Sequence, residues 1–246
     1  MARFFLPSRN IRGQRGVIAG QELEHMTKVL RLRAGDRVTL FDDVGREHEA
    51  IIQSCTEEAG ELEIVKSYQP NRESLLEITL AQALGKGDKM DWITEKATEL
   101  GVSAIVPLFS SYTVPRLDAK KMEQRRERWR KIALSAAKQS GRTRVPEIGE
   151  FTDFATLVRK PWPCNLKLLF WERESVQGLA ELREEKVQLN SLLLVVGPEG
   201  GFSSAEAAEA ARQGFRSVRL GKRILRSETA ALAAVSGAQF LWGDMG

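Results

Sequence analysis

At 246 residues, with 42% apolar side chains and a net charge of +4, the chain is long enough for one large domain or two modest ones around a real core. No apolar run approaches the roughly 20 residues needed to cross a bilayer, and the opening MARFFLPSRNIRG lacks the long apolar segment of a secretory signal, so a cytoplasmic location is expected. Cys55, Cys164, His25 and His48 each stand far from a second ligand type, which argues against a disulfide framework or a metal site and casts each cysteine as a small core residue.

Residues 1–70 read as β-rich: RFFLP, GQRGVIAG, DRVTLFDDVGREHEAIIQSC and GELEIVKSYQP alternate apolar and polar residues between Gly and Asp turns. One helix interrupts them at GQELEHMTKVLRLRAGD, where Leu23, Met26, Val29 and Leu30 recur at helical spacing. The pattern predicts a small barrel with a hairpin turn at residues 42–45. Arg3, Arg9, Arg12 and Arg15 have no acidic residue among them, which fits either a solvated, flexible N-terminus or a basic arm that contacts phosphates. YQPNRES, residues 68–74, is the candidate linker.

Beyond it, strand-like and helix-like stretches alternate: LLEITLAQAL, DKMDWITEKATELG, VSAIVPLF, a long helix across 118–140, LKLLFWE, SVQGLAELREEK, SLLLVVG, SSAEAAEAARQG, FRSVRL and ETAALAAVSGAQFLW. That order predicts an α/β domain with a mainly parallel sheet and helices on both faces. Asp88 is the expected N-cap of the first of these helices, whose core stripe is Trp92, Ile93, Ala97 and Leu100, leaving Lys86, Lys89, Lys96 and Glu99 free to face a substrate.

Charge is unevenly spread. Residues 1–73 carry 11 Lys and Arg against 12 Asp and Glu, whereas residues 116–146 carry 11 against 3. In the long helix Met122, Trp129, Ile132, Ala133 and Ala136 form an apolar stripe, so Lys121, Arg125, Arg128 and Lys131 are turned to water or to a polyanion. Arg142 and Arg144 follow its end, a position suited to gripping a phosphate or carboxylate.

The densest chemistry lies in two loops. Residues 192–196 are apolar throughout, as in a central parallel strand, and run into Gly197-Pro198-Glu199-Gly200-Gly201, where a ligand at the strand's carboxyl end would meet bare backbone. Ser203 and Glu206 have the spacing of a capping box for the next helix. The strand at residues 215–220 ends in GKRILRSE, whose Ile224 and Leu225 either sandwich a flat ring or fold into the core. Ser227 is the expected N-cap of the last helix, whose small residues permit close packing.

GPEGGFSSAE followed by LGKRILRSETA, with KGDKMDWITEKATELG, RWRKIALSAAKQSGRTRVP and HMTKVLRLRAGD upstream, resembles the bacterial 16S ribosomal RNA uridine-N3 methyltransferase family of the SPOUT superfamily. The resemblance runs nearly end to end. It implies a PUA-like RNA-binding β-barrel over residues 1–70 and a SPOUT methyltransferase domain over 74–246, with a C-terminal trefoil knot that strand-connection rules alone would not suggest. It further implies a homodimer that uses S-adenosyl-L-methionine to methylate N3 of one uridine of 16S rRNA in the small ribosomal subunit, uracil 1498 in the usual numbering.

On this resemblance the cofactor is expected at Phe170, Gly197, Pro198, Gly200, Gly201, Leu220, Gly221, Ile224, Leu225, Arg226 and Ser227, and RNA at Arg3, Arg9, Arg12, Arg125, Arg128, Arg142 and Arg144. Glu199, Arg226 and Arg142 are the catalytic candidates: Glu199 to orient the base or take its proton, the arginines to stabilise the uracil oxygens. Structural roles compete with these, since Glu199 could cap backbone N–H groups and Arg226 could pair with Glu228. No metal is expected. Two positions depart from the family pattern: Ser110-Ser111-Tyr112 stands where Ser-Glu-Arg is usual, and Ser227 replaces a Thr. A non-catalytic RNA-binding or ribosome-assembly protein, or a knotted methyltransferase acting on another RNA, is the alternative reading.

Overall fold

The computed structural model describes residues 1–113, 117–173, 177–182 and 189–246. They form two compact units, Met1–Glu73 with Ala137–Val145, and Ser74–Ala136 with Pro146–Gly246. The first unit thus includes a segment that a single cut near residue 70 does not provide.

In the first unit, strands β1 (Arg3–Phe5), β2 (Ile11–Arg12), β3 (Arg15–Ala19), β4 (Arg37–Phe41), β5 (Glu47–Cys55) and β6 (Ala59–Tyr68) build one mixed sheet in the order β1-β4-β5-β6-β3-β2. Only β1 and β4 pair in parallel, and the two end strands do not pair with each other, so the expected barrel is a half-barrel. Phe4, Ile18, Val38, Leu40, Ile52 and Leu62 supply its core from alternate strand positions, as the period of two requires. The expected helix is shorter than its spacing suggested: α1 (Gly20–Glu24) passes into a π-helical turn, His25–Val29, so Leu23 and Met26 are buried while Val29 and Leu30 are exposed. Gly60 lets this element dock, because a Cβ there would lie 2.9 Å from Ile18 Cγ2 and 3.0 Å from Met26 Cε.

The second unit is an α/β layer structure. Strands β7 (Glu77–Ala83), β8 (Ala104–Phe109), β9 (Glu147–Ile148), β10 (Thr152–Asp153), β11 (Leu166–Phe170), β12 (Ser191–Val196) and β13 (Arg216–Val218) are all parallel, in the order β10-β8-β7-β12-β11-β13 with β9 beside β8. Helices α2 (Lys89–Glu99), α3 (Ala119–Ser140), α4 (Phe154–Arg159), α5 (Leu179–Leu182), α6 (Ser204–Arg212) and α7 (Ser227–Trp242) cover it. Ala81, Ala83, Leu193 and Val195 meet Phe154, Leu157, Ala207 and Ala210 on the α4–α6 face, while α7 packs on α2, β7 and β12. Burial of β12 on both sides accounts for its unbroken apolar sequence.

Of the helix expected over SVQGLAELREEK only Leu179–Leu182 is described; residues 174–176 and 183–188 lie outside the described residues. Helix α4 has no counterpart among the sequence expectations; its N-cap, Asp153, accepts from Thr156 N–H at 2.9 Å. Cys55 is exposed at the end of β5, not a core residue. Among the described residues no helix is long and apolar enough to cross a membrane.

Candidate functional site

The carboxyl ends of β11, β12 and β13 open onto one cleft within the second unit. The loop after β12 contributes Gly197, Pro198 and Gly201, the end of β11 contributes Phe170, and the loop after β13 contributes Leu220, Gly221, Ile224 and Leu225, with Ser227 from α7. Nine of the eleven expected cofactor residues therefore share one cavity; Gly200 and Arg226 do not line it. Trp171, Glu172, Val196, Val218, Arg219, Lys222, Arg223 and Ala230 complete the lining. A simple extension of each loop by its flanking residues would have found most of them.

Each wall has a local cause. Gly201 sits at φ +67°, and a Cβ there would lie 2.5 Å from both carboxylate oxygens of Glu172, so neither the backbone nor the space admits a side chain. Gly200 is packed differently, with a virtual Cβ 3.0 Å from Tyr112 Cβ, which places the departing Tyr112 against the glycine loop. The expected capping box forms: Glu206 N–H donates to Ser203 Oγ at 3.2 Å and Ser203 N–H to Glu206 Oε2 at 2.9 Å. Glu206 Oε1 also accepts from Ser111 N–H at 2.9 Å, fastening the chain beside Tyr112.

Ser227 does not cap α7; Arg226 holds the N-cap position and makes no side-chain cap bond. The buried Ser227 hydroxyl instead donates to the Gly197 carbonyl at 2.6 Å and accepts from Gln82 Nε2 at 2.9 Å. One hydroxyl thus joins both loops to β7. A hydroxyl is what Ser227 shares with the Thr usual at this place.

Lys89, from the first turn of α2, forms a second tie. Its ammonium lies 2.8 Å from Glu199 Oε1 and 3.1 Å from Glu228 Oε2, one carboxylate on each loop. Glu199 Oε1 also accepts from Lys86 N–H at 3.2 Å. Burial pushes Glu199 up, but the hydrogen bonds from Lys89 and from backbone N–H groups outweigh it and hold the carboxyl below the usual range. Glu228 is lowered in the same way, against the burial that raises it. Lys89 itself is raised, first by its bond to Glu199. The expectation that Lys89 faces a substrate thus acquires a different content: it pins the two carboxylates. Arg226 is exposed and makes no ion pair with the described residues, because Glu228 is held by Lys89.

The other arginines separate into two groups. Arg3 belongs to β1, not to a mobile arm: its guanidinium donates to Glu47 at 2.8 and 3.1 Å, to Ala137 O at 3.0 Å and to Arg142 O at 2.8 Å, and covers the Phe41 ring. Arg142 is buried in the first unit, donating to Glu73 Oε2 at 2.8 and 3.1 Å. Arg144 gives Glu73 its main-chain N–H at 3.0 Å, while its side chain is exposed. Arg9 and Arg12 are exposed. On α3, Arg128 pairs with Asp91 at 2.5 Å, and Arg126 and Arg130 pair with glutamates, so the helix is less cationic than its sequence; Arg125 makes no ion pair with the described residues.

Residues 220–225 make no main-chain hydrogen bond to the described residues, although they flank a cleft with apolar walls. A row of unclaimed N–H and C=O groups beside Leu225, Val196 and Phe170 suits the edge and faces of a purine ring, and Gly197 and Gly201 line the same cleft. The donor set therefore fits an adenosyl group.

Residues 71–239 match the family model described as an RNA methyltransferase domain, and residues 18–65 the model of an RNA methyltransferase PUA domain. Fold and matches together define the class as RNA methyltransferases carrying a PUA domain. The chain is 35% identical over 227 residues to ribosomal RNA small subunit methyltransferase E of Bacillus subtilis, covering 91% of this chain and 89% of that one. It is 30% identical over 243 residues to the Mycobacterium bovis protein of that name, covering 97% and 91%. The crystal structure of the Neisseria gonorrhoeae protein of that name, bound to S-adenosyl methionine, is similar with a TM-score of 0.89 and 36% identity over 100% of both chains. The chain belongs to the ribosomal RNA small subunit methyltransferase E family.

Proposed function

We propose that the chain methylates N3 of a single uridine of 16S rRNA, uracil 1498 in the usual numbering, with S-adenosyl-L-methionine held in the cleft between the two loops. The observation that carries this reading is the convergence of the glycine loop and residues 220–227 on one cleft, tied by Ser227 and Lys89, with unclaimed backbone on one wall. When bound, the cofactor supplies a methyl group made electrophilic by its sulfonium.

The protein's part is positioning and charge. N3 of uracil is buried in base pairing, so the target base has to leave its stack before it reaches the cleft. Glu199, held ionised by Lys89, accepts a hydrogen bond from the uracil N3–H and orients the ring; its lowered pKa makes it a weak base, so the N3 proton is given up to solvent water before N3 takes the methyl group, and S-adenosylhomocysteine leaves. Arg226 offsets charge that develops on the uracil oxygens. Arg142, committed to Glu73, has no part in this scheme.

In this reading residues 1–70 are the PUA-like RNA-binding domain and 74–246 the methyltransferase domain with its trefoil knot. The active species is a cytoplasmic homodimer, a state supported by the exposed Phe240 in the last turn of the last helix and the exposed Met245 just beyond it. Arg9, Arg12 and Arg125 are the cations offered to RNA. Isotope-labelled S-adenosyl-L-methionine, small-subunit RNA from a strain lacking the gene, and mass spectrometry of the digested RNA test the assignment. Label on N3-methyluridine is the expected result. Label on another base or on ribose would transfer the enzyme to a different target, and no label under conditions of measured cofactor binding would leave only an RNA-binding protein.

A further inference from the structure

Among the described residues that line the cleft, Glu172 carries the only carboxylate. The other charged side chains of the lining are Arg219, Lys222 and Arg223, all cationic and all just beyond β13. Glu172 follows shortly on the end of β11, and both its oxygens are turned to the glycine loop, 2.5 Å from the position of the Cβ that Gly201 lacks. The cleft is therefore polarised, negative where the β11 and β12 loops meet and positive along residues 219–223.

No structural task among the described residues accounts for this carboxylate. Glu172 is exposed, and no hydrogen bond or ion pair to a described residue holds its oxygens. The neighbouring acids are all claimed: Glu199 and Glu228 by Lys89, and Glu206 by the N–H groups of Ser203 and Ser111. Those three carboxylates hold the walls of the site together, whereas Glu172 faces the space between them.

An unpaired carboxylate at the wall of a small-molecule cleft selects for positive charge. S-adenosyl-L-methionine carries a sulfonium, and the product left after transfer, S-adenosylhomocysteine, is the same molecule without the methyl group and without that charge. The ammonium and carboxylate of the amino-acid end are common to both. The sulfonium is thus the charge by which a side chain can tell the methyl donor from its product.

We propose that Glu172 is a specificity residue of the cleft, whose carboxylate favours the positively charged methyl donor over the neutral product. Loss of that attraction after transfer speeds release of the product. The inference rests on the proposed use of S-adenosyl-L-methionine and adds the group that separates the loaded cofactor from the used one. Because Glu172 is exposed, its attraction is that of a solvent-screened pair, a factor of about five in affinity and not several powers of ten.

Calorimetry on the full-length protein with three ligands tests it: S-adenosyl-L-methionine, S-adenosylhomocysteine, and sinefungin, an analogue that carries an amine-bearing carbon in place of the methylated sulfur. Glu172→Gln keeps the size of the side chain and removes its charge. It should weaken the methyl donor and sinefungin about fivefold and leave the affinity for S-adenosylhomocysteine unchanged. Glu172→Asp, which keeps the charge, should retain most of the preference for the donor. Added salt should narrow that preference in the unaltered protein and not in Glu172→Gln. The midpoint in denaturant should stay the same in both variants, since no described residue depends on the carboxylate. Equal weakening of all three ligands would make Glu172 a wall and not a charge sensor, and no weakening of any would remove it from the site; either result overturns the inference. The reading beneath it fails separately, if the unaltered protein binds neither donor nor product, and that result would overturn both.

Discussion

The cleft at the strand ends of the second unit and the charged cluster of the first unit treat the same chemical groups in opposite ways. In the first unit Glu47 and Glu73 are enclosed by Arg3, Arg72 and Arg142, and Glu73 Oε1 also accepts the N–H groups of Thr143 at 2.7 Å and Arg144 at 3.0 Å. In the cleft, by contrast, six consecutive residues, 220–225, leave their main chain without partners among the described residues, and none of those residues binds Arg226 with a carboxylate. Satisfied buried charge holds a fold in register, whereas unclaimed polar groups beside apolar walls are available to a ligand. Changes in the cluster should therefore act on stability, and changes around the cleft on binding and turnover.

The sharpest way to break that contrast is Glu73→Gln. It removes the charge facing buried Arg142, and breaking a buried pair costs about 3 kcal/mol, read as a lower midpoint in denaturant with cofactor affinity unchanged. Burial pushes Glu73 up, but Arg142 and the Thr143 and Arg144 N–H groups bring its carboxyl below the usual range. Its contribution is therefore complete above the ordinary carboxylate pKa and is lost as pH falls through the depressed folded value, so the destabilisation of Glu73→Gln should shrink in acid. Glu199→Gln should do the opposite, lowering kcat on the order of 100-fold with little effect on the midpoint.

Gly201→Ala comes next. It forces a left-handed residue to carry a Cβ against Glu172, and cofactor affinity by calorimetry should fall roughly 30-fold through strain and displacement of that wall. Glu172→Ala in the same chain should recover part of the loss. The smallest expected effect is that of Lys89→Met, about tenfold in kcat. Without the ammonium, the burial that raises Glu199 is opposed only by main-chain hydrogen bonds, so the acid limb of the pH–rate profile should move to higher pH, and Lys89→Arg should restore it.

The larger elements of the second unit, unlike the short β9, β10 and α4, were legible because each carries a single strong signal: an apolar run for β12, a capping box for α6, helical spacing for α3. The cleft was legible for the same reason, since glycine and exposed apolar residues at strand ends have few other uses. Charge was not legible. Arg3, Arg142 and Arg226 look alike in sequence, and only the position of Glu47, Glu73 and Lys89 separates a clamp from an available cation. Ser227 shows the same limit, because its spacing fits an N-cap while its hydroxyl reaches Gly197, 30 positions away. The first helix was overextended because Val29 and Leu30 keep helical spacing although their turn leaves the core.

Amide hydrogen exchange with and without S-adenosyl-L-methionine tests the central claim most directly, because it reads the main chain that the cleft leaves unclaimed. Protection should appear at residues 197–201 and 220–225 and nowhere in the turn at 25–33 or around Glu73. Saturating cofactor that protects neither loop, or protects the first unit instead, would contradict the account.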